Sequence, residues 1–197
     1  NQNNSHKLND YMTPLELCHL IIHTQKKYAR QLEKHIAFST DISARLPELH
    51  AYTILSILNN LTANAIEAIR DRGTIAITMK RMSTDLHLEV SNTGSSIPLR
   101  RLKQIFRPGY TTKYDSDGRA SSGVGLTYIK ALAEHLGGSI TAASDGKDSV
   151  TFHVTLPLSS LTTHPVTRIP AIRQDDDAPS QQKATDTYIK RFEIDLP

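Results

Sequence analysis

The sequence predicts an α+β fold: a two-layer sandwich in which helices cover one face of a mixed or antiparallel β-sheet. Apolar residues recur at helical spacing in residues 54–69 and 126–136, whereas they alternate with polar residues in residues 75–79, 86–90 and 150–156. A strand that alternates in this way has one apolar face, and a helix with one apolar stripe is a suitable cover for it.

The sequence predicts three helices. Residues 14–35 predict a helix, because Pro14 stands at a helix-opening position and few helix breakers follow. This helix leads into a short strand, IAFSTDI. A second helix is predicted to begin near Pro47 and to end at Gly73. The third helix, over residues 126–136, is predicted to end at the glycine pair 137–138.

The strands complete the predicted domain. Two strands centred on residues 75–79 and 86–90 are joined by a short turn, and a later hairpin pairs SITAAS with VTFHVTL around the turn Asp145-Gly146. We expect residues 1–11 to be a remnant or linker and residues 12–158 to form the domain. Residues 159–197 are rich in Pro, Ser, Thr and Asp without apolar periodicity, which predicts a flexible tail.

Composition excludes several classes of protein. The chain has 197 residues and a formal charge of +3, and no dense Lys/Arg patch is interleaved with aromatics, which argues against nucleic-acid binding. The single cysteine, Cys18, lies in the apolar run LELCHLII, so a disulfide framework is excluded and a reducing compartment is favoured. No apolar run is long enough to span a bilayer, and the first residue is Asn, so we expect a soluble piece of a longer protein.

The second helix carries an unusual set of polar residues. Asn60, Asn64 and Glu67 fall at i, i+4 and i+7, on one face beside the apolar stripe. Asparagine forms helices poorly, so two of them one turn apart indicate a specific role, such as offering carbonyl oxygens to a hard cation and amide donors to phosphates. On this observation alone, an ordinary polar surface is an equally good interpretation.

Two further segments contain glycines and hydroxyls. IFRPGYTTK, residues 105–113, combines two aromatics, a Pro-Gly turn, two hydroxyls and a lysine. In GRASSGVGLTYIK, Gly118, Gly123 and Gly125 lead into the third helix, whose free N–H groups favour an anion such as phosphate. Neither a P-loop nor a Rossmann fingerprint is present, and a flexible loop explains the glycines equally well.

The order of these segments resembles the nucleotide-binding (Bergerat) domain of the GHKL superfamily, and within it bacterial sensor histidine kinases. NLTANAIEA resembles the Asn box of that family, SNTGSSI its first glycine box, IFRPGYTTK its Phe box and SSGVGL its second glycine box. The resemblance covers roughly residues 12–158. The wording NAIEA and PGYTTK is similar to the group of citrate- and C4-dicarboxylate-sensing kinases.

The resemblance implies a mixed sheet, a site for ATP and Mg²⁺, and a role for each matching residue. Asn64 would bind Mg²⁺, Asn92 would face the adenine amino group, and Gly94 would let the base approach. Lys113 and Arg119 would meet phosphates as charges. The implied catalytic residues are Asn60, Asn64 and Lys113, residues 107–122 would form a lid, and the implied nucleotide site consists of Asn60, Asn64, Asn92, Gly94, Ile97, Phe106, Thr111, Thr112, Lys113, Arg119, Ser122, Gly123, Val124, Gly125 and Leu126.

The implied function is transfer of the γ-phosphoryl group of MgATP to a histidine on a dimerisation domain upstream, for relay to a response regulator. The parent protein is expected to be a homodimer acting in the cytoplasm, and a monomeric fragment is left open. His6 is the only candidate acceptor by position, and the acceptor is expected outside this chain. The alternative is a degenerate GHKL module that only senses nucleotide or docks a partner. An ATP hydrolase of the gyrase or Hsp90 type is disfavoured, because Asn60 stands where those relatives carry a general-base glutamate.

Four positions depart from the family pattern. Asn92 replaces the aspartate, Ser96 and Ser121 replace glycines, and Val150 replaces a threonine. Asn92 keeps a carbonyl oxygen that can accept from adenine, so a working site is predicted. A free amide could also turn over and present nitrogen to guanine. The sequence therefore predicts that the chain discriminates against GTP less sharply than its Asn92→Asp variant does.

Overall fold

The computed structural model describes residues 10–110 and 125–163; the remaining residues lie outside the described part of the chain. Within that part the elements follow the order β1 (Tyr11–Met12), α1 (Pro14–Gln31), β2 (His35–Ile42), β3 (Leu49–His50), α2 (Ala51–Ala68), β4 (Arg72–Met82), β5 (Asp85–Thr93), α3 (Gly125–His135), β6 (Ser139–Ser144) and β7 (Ser149–Pro157). Two short 3-10 turns, Leu99–Arg101 and Leu158–Ser160, follow β5 and β7. None of the described helices has the length and apolar content that crossing a bilayer requires.

Helix α1 begins where the sequence predicted. Pro14 opens it, and Thr13 and Glu16 form a capping box in which each side chain accepts a hydrogen bond from the other's backbone N–H, at 3.3 and 3.0 Å. The helix ends at Gln31, before the predicted limit of residue 35, because His35 already pairs with Arg72 in the sheet. Cys18 is fully buried on this helix, as expected for core packing, and burial raises the pKa of its thiol to about 12.

The predicted bounds of α2 were wrong at both ends. The helix begins at Ala51 rather than near Pro47, because Leu49–His50 forms β3 and pairs with β1. It ends at Ala68, and Ile69 is already extended with ψ of 129°. Gly73 is not a helix cap, because it lies inside β4, opposite Ile36 of β2. Long-range strand pairing therefore sets both ends of this helix.

The main sheet has five strands in the order β2-β4-β5-β7-β6. β2 and β4 are parallel, and the other three pairs are antiparallel, so the sheet is mixed. The register aligns the apolar positions of neighbouring strands: Ile77 stands opposite Val90, which stands opposite Phe152. A small separate pair, β1 with β3, lies outside this sheet.

Only one face of the sheet belongs to the core. The buried face carries Phe38, Ile75, Ile77, Met79, Leu86, Leu88, Val90, Val150, Phe152, Val154 and Leu156. The opposite face is polar: Ser91 and Thr151 share a hydrogen bond of 2.9 Å, and His153 lies 3.1 Å from the carboxylate of Glu89. The helices pack on the buried face, so the predicted two-layer α+β sandwich with a mixed sheet is confirmed.

The two ends of the described chain meet at the start of α2. The carbonyl of Asp10 accepts from Ala51 N–H at 2.8 Å, and the carbonyl of Leu161 accepts from His50 N–H at 2.8 Å. Leu158 and Leu161 are buried. The folded part therefore includes Tyr11 and continues past residue 158 to Leu161, beyond both predicted limits of the domain.

Candidate functional site

The Asn box of α2 lies against the first turn of α3. Asn60 Nδ2 donates to the carbonyl of Ser56 at 2.8 Å, which fixes the side-chain amide against its own helix. A Cβ on Gly125 would lie 3.2 Å from Asn60 Oδ1, so the amide oxygen is directed at the start of α3. Asn64 follows one turn later and is half-buried. Asn60 and Gly125, which were predicted from separate motifs, are therefore neighbours in the fold.

Glu67, the third residue predicted on this helix face, contacts α1. Glu67 accepts a hydrogen bond of 2.9 Å from the hydroxyl of Tyr28 on α1. Burial, followed by this hydrogen bond, raises the pKa of Tyr28. Asn60 faces α3 whereas Glu67 is bonded to α1, so the polar face divides between a candidate site and a helix–helix contact.

The segment that resembles the Phe box is attached to the core from two sides. The ring of Phe106 meets that of Phe152 of β7 edge to face, with centroids 6.3 Å apart. Thr127 Oγ1 of α3 donates to the carbonyl of Phe106 at 3.3 Å. This attachment holds residues 105–110 beside the N-terminal turn of α3.

Asn92 is a polar residue in an apolar position. The alternation of β5 buries Leu86, Leu88 and Val90, and Asn92 is the next side chain on that face, only 4% exposed. Burying an amide is unfavourable unless it is hydrogen-bonded. Its Nδ2 donates to Ser95 Oγ at 2.8 Å and to the carbonyl of Thr93 at 3.3 Å. No described residue donates to its Oδ1.

The turn after Asn92 and the start of β4 each require a glycine. Gly94 has φ of +82°, a conformation that side chains with a Cβ rarely adopt. A Cβ there would lie 2.5 Å from the carbonyl oxygen of Arg72 and 3.3 Å from the Cα of Gly73. A Cβ on Gly73 would in turn lie 2.5 Å from the carbonyl oxygen of Thr93. The two glycines therefore let the end of β5 pass close to the start of β4.

The hairpin between β6 and β7 holds the same turn from the other side. Asp148 Oδ1 accepts from the N–H of Gly94 at 3.1 Å, and Ser144 Oγ accepts from the N–H of Ile97 at 3.1 Å. The hairpin is itself ordered by Asp145, whose carboxylate accepts three backbone N–H groups; these bonds hold the pKa of Asp145 well below its usual range. Asp148 and Ser144 have no local sequence signal for this role.

The predicted site residues divide into two groups. The structure brings Asn60 close to Gly125 and joins Phe106 to Thr127, the residue after Leu126, and it sets Asn92, Gly94 and Ile97 in one turn. The other predicted residues lie outside the described part: Thr111, Thr112, Lys113, Arg119, Ser122, Gly123 and Val124, together with His6, Ser121 and most of residues 107–122.

The structure accommodates Ser96, which stands where the family pattern has a glycine. Ser83 and Glu33 are the described non-glycine residues with positive φ, and Ser96 is not among them. Its backbone is therefore ordinary, and a serine fits where the family has glycine. Ser95, Ser144, Asp148 and Gly73 also shape the turn, and the sequence reading did not identify them.

Fold and site together define the class of protein. A mixed sheet is covered on one face by helices, the asparagine-bearing helix α2 lies against Gly125 of α3, and a buried amide lies next to the last residue of the central strand β5. This combination is that of a GHKL-type nucleotide-binding domain.

Comparison with known proteins gives the family. Residues 50–160 match the model described as histidine kinase-, DNA gyrase B- and HSP90-like ATPase. Sensor histidine kinase GlnK of Bacillus subtilis (strain 168) is 36% identical over 155 residues, which are 78% of this chain and 38% of GlnK. Sensor histidine kinase ZraS of Escherichia coli (strain K12) is 31% identical over 155 residues, which are 75% of this chain and 32% of ZraS.

A solved structure extends the comparison. The nucleotide-free catalytic domain of histidine kinase ThkA is 30% identical, with a TM-score of 0.61, and the match covers 75% of this chain and 94% of that domain. The chain therefore belongs to the family of histidine kinase-, DNA gyrase B- and HSP90-like ATPases, as a catalytic domain of the sensor histidine kinase type. The resemblance read from the four boxes is confirmed, and the citrate-sensor subgroup stays a prediction. This chain spans 38% of GlnK and 32% of ZraS, well below the length of the relatives it matches.

Proposed function

We propose that this chain binds MgATP and transfers its γ-phosphoryl group to a histidine on a dimerisation and phosphoacceptor domain, for relay to a response regulator. The observation that carries the proposal is the contact between the two phosphate-side motifs. Asn60 Oδ1 would lie 3.2 Å from a Cβ on Gly125, so the glycine lets the Asn box and α3 approach each other closely. A phosphate chain bound beside this contact would meet backbone N–H groups on one side and amide groups on the other.

The donor types present fit magnesium and triphosphate. The carbonyl oxygen of Asn64 is a suitable ligand for a hard cation, and the N–H groups at the start of α3 suit phosphate oxygens. Lys113 and Arg119 would add positive charge, and Asn92 would receive the base at the other end of the site. Bound Mg²⁺ would neutralise phosphate charge and orient the γ-phosphoryl group.

The residues of this chain would act by positioning and by neutralising charge. A lone pair on an imidazole nitrogen of the acceptor histidine attacks the γ-phosphorus, the bond from that phosphorus to the β–γ bridging oxygen breaks, and ADP leaves. The attacking nitrogen already carries its lone pair, so no base is required to generate the nucleophile. Water, in contrast, needs a base. Asn60 cannot accept a proton from it, and Glu67 is bonded to Tyr28.

The domain would act in the cytoplasm, where MgATP is available and where a buried free thiol such as Cys18 persists. Its partners would be the dimerisation domain of the parent protein, itself a homodimer, and a response regulator. The alternative function is a GHKL module that senses nucleotide or docks a partner without kinase activity.

Calorimetric titration with ATP, with and without Mg²⁺, is the first test, and labelled phosphotransfer to a dimerisation domain supplied in trans is the second. We expect Mg²⁺-dependent binding, an acid-labile phosphohistidine, and hydrolysis slower than about 1 s⁻¹, the low end of ordinary enzyme turnover. No binding at millimolar ATP would refute the proposal. Binding without transfer to any supplied acceptor would favour the sensing module.

A further inference from the structure

Residues 94–97, the turn that follows β5, are held by side chains and not by their own backbone. Among the described residues, no backbone–backbone hydrogen bond outside the helices and strands involves residues 94–97. Gly94 and Ile97 are both half-buried, and a backbone N–H that is withdrawn from water needs a hydrogen-bond partner. The conformation of this turn therefore depends on the side chains that accept from these two N–H groups.

Both acceptors belong to the hairpin between β6 and β7, residues 144–149. Asp148 Oδ1 accepts from the N–H of Gly94 at 3.1 Å, and Ser144 Oγ accepts from the N–H of Ile97 at 3.1 Å. These two bonds are three residues apart, so they attach both ends of the turn to the hairpin. Asp148 is bonded to the end that lies next to Asn92.

The hairpin is ordered at the point where the Asp148 side chain leaves it. The carboxylate of Asp145 accepts from the N–H groups of Lys147, Asp148 and Ser149, at 2.9, 3.0 and 2.9 Å. Ser149 of β7 also stands opposite Thr93, the last residue of β5. The backbone that carries the Asp148 side chain is therefore fixed beside the end of β5.

We propose that Asp148 is a positioning residue for the nucleoside part of ATP: by accepting from the N–H of Gly94 it holds the turn after Asn92 in the form that receives the base. This inference rests on the proposed function, because it takes the base to lie at Asn92 and Gly94. Asp148 acts through Gly94 and does not itself need to touch the ligand. A turn that is already held in place loses less freedom when the ligand binds.

The phosphate side of the candidate site is held by other contacts. Asn60 is bonded to the carbonyl of Ser56 and lies against Gly125 of α3, and these contacts include no residue of the hairpin. Loss of the Asp148 bond should therefore loosen the base end of the site and leave the phosphate end in place. A residue that merely stabilised the whole domain would weaken both ends together.

The test is competition against a fluorescent ATP analogue in the presence of Mg²⁺, with ATP and with tripolyphosphate, which carries the phosphate chain without the nucleoside. The ratio of the two affinities reports the contribution of the nucleoside, and a change in protein charge acts on both ligands with the same sign. Asp148→Ala is expected to lower the ATP-to-tripolyphosphate affinity ratio about 3- to 10-fold, the effect of one hydrogen bond.

Two further variants separate the hydrogen bond from the charge. Asp148→Asn keeps an acceptor oxygen and lacks the negative charge, so it is expected to keep the ratio within about 2-fold of wild type. Lys147→Ala is the matched control on the same exposed hairpin, because its bond to Asp145 comes from the backbone N–H, which alanine retains. Lys147→Ala is expected to leave the ratio unchanged.

Amide hydrogen exchange of the nucleotide-free protein checks the bond itself. In Asp148→Ala the N–H of Gly94 is expected to lose more protection than the N–H of Ile97, which Ser144 still holds. Unchanged protection at Gly94 would overturn the inference, because the turn would then not depend on Asp148.

Four results of the competition experiment would also overturn it. If Asp148→Ala weakens ATP and tripolyphosphate equally, or leaves both unchanged, Asp148 does not position the base end. If Asp148→Asn lowers the ratio as far as Asp148→Ala does, the charge and not the bond is responsible. If wild type binds ATP no more tightly than tripolyphosphate, the base does not lie at this turn. If wild type binds neither ligand, the proposed function itself fails, and the wild-type measurement alone distinguishes this result.

Discussion

Replacing Gly94 by alanine is expected to destabilise the domain far more than the same change at Gly146. Both glycines have positive φ, +82° and +72°, so both variants pay for a left-handed backbone, about 1–2 kcal/mol. Only Gly94 is also enclosed. Its Cβ would lie 2.5 Å from the Arg72 carbonyl oxygen and 3.1 Å from Ile69 Cγ2, whereas the nearest atom to a Cβ on Gly146 is Leu99 Cγ at 3.9 Å.

Relieving the clash of a Cβ at Gly94 would require moving well-packed parts of the fold. Arg72 begins β4, a strand paired with β2 on one side and β5 on the other, and Ile69 is fully buried. Overpacking a site of this kind costs about 1–3 kcal/mol. Backbone strain and overpacking together predict that Gly94→Ala lowers the free energy of unfolding by about 2–5 kcal/mol, whereas Gly146→Ala lowers it by about 1–2 kcal/mol.

Urea denaturation followed by far-UV circular dichroism measures both losses, because the chain has no tryptophan to report by fluorescence. Equal losses in the two variants would refute the reasoning, since the strain that they share would then be the whole effect. A loss at Gly94 with an unchanged free energy of unfolding at Gly146 would instead show that the clash alone is responsible.

The remaining predictions concern three separate residues. Asn64→Ala is expected to abolish Mg²⁺-dependent nucleotide binding and leave the fold intact, as measured by calorimetry; Asn59→Ala, whose side chain contacts α1, is the matched control and should bind normally. Lys34 Nζ donates to the carbonyls of Ile66 and Glu67 at the end of α2, so Lys34→Met should cost about 1–3 kcal/mol in urea denaturation. In the folded protein the pKa of the Cys18 thiol is raised to about 12. The contribution of Cys18 to the free energy of unfolding is therefore complete below pH about 9 and is lost as pH rises towards 12, at up to about 1.4 kcal/mol per pH unit. Cys18→Ala should show a smaller decrease of the free energy of unfolding between pH 9 and 12 than wild type when both proteins are unfolded in urea at several pH values.

Local sequence patterns were sufficient to predict most strands of the sheet and the face that they bury. The alternation in β4, β5 and β7 identified the buried face correctly, because a strand with one apolar face has only one orientation that removes it from water. The same alternation also extends to Asn92, the amide that follows Val90 on that face. The sequence therefore contained the information that this residue is buried.

Contacts between distant residues account for what the sequence did not predict. Gly73 reads as a helix cap because it follows a helical stretch, and only the approach of Gly94, across the β4–β5 pair, shows its use. Asp148 lies 54 residues from Gly94, and Ser144 lies 47 residues from Ile97. Neither periodicity nor a short motif can predict hydrogen bonds between residues so far apart in the sequence. Asn60 and Gly125 were identified by their boxes, but the contact between them follows from the packing of α2 on α3.

The hydrogen bonds of Asp10 and Leu161 at the start of α2 have a mechanical consequence. Asp10 is bonded to Ala51 and Leu161 to His50, so residues that are 151 positions apart in the sequence are both attached beside the first turn of that helix. Asn60 lies nine residues farther along the same rigid rod, about 14 Å at the usual helical rise. A small tilt of α2 at this attachment point would therefore move Asn60 directly, without passing through the sheet.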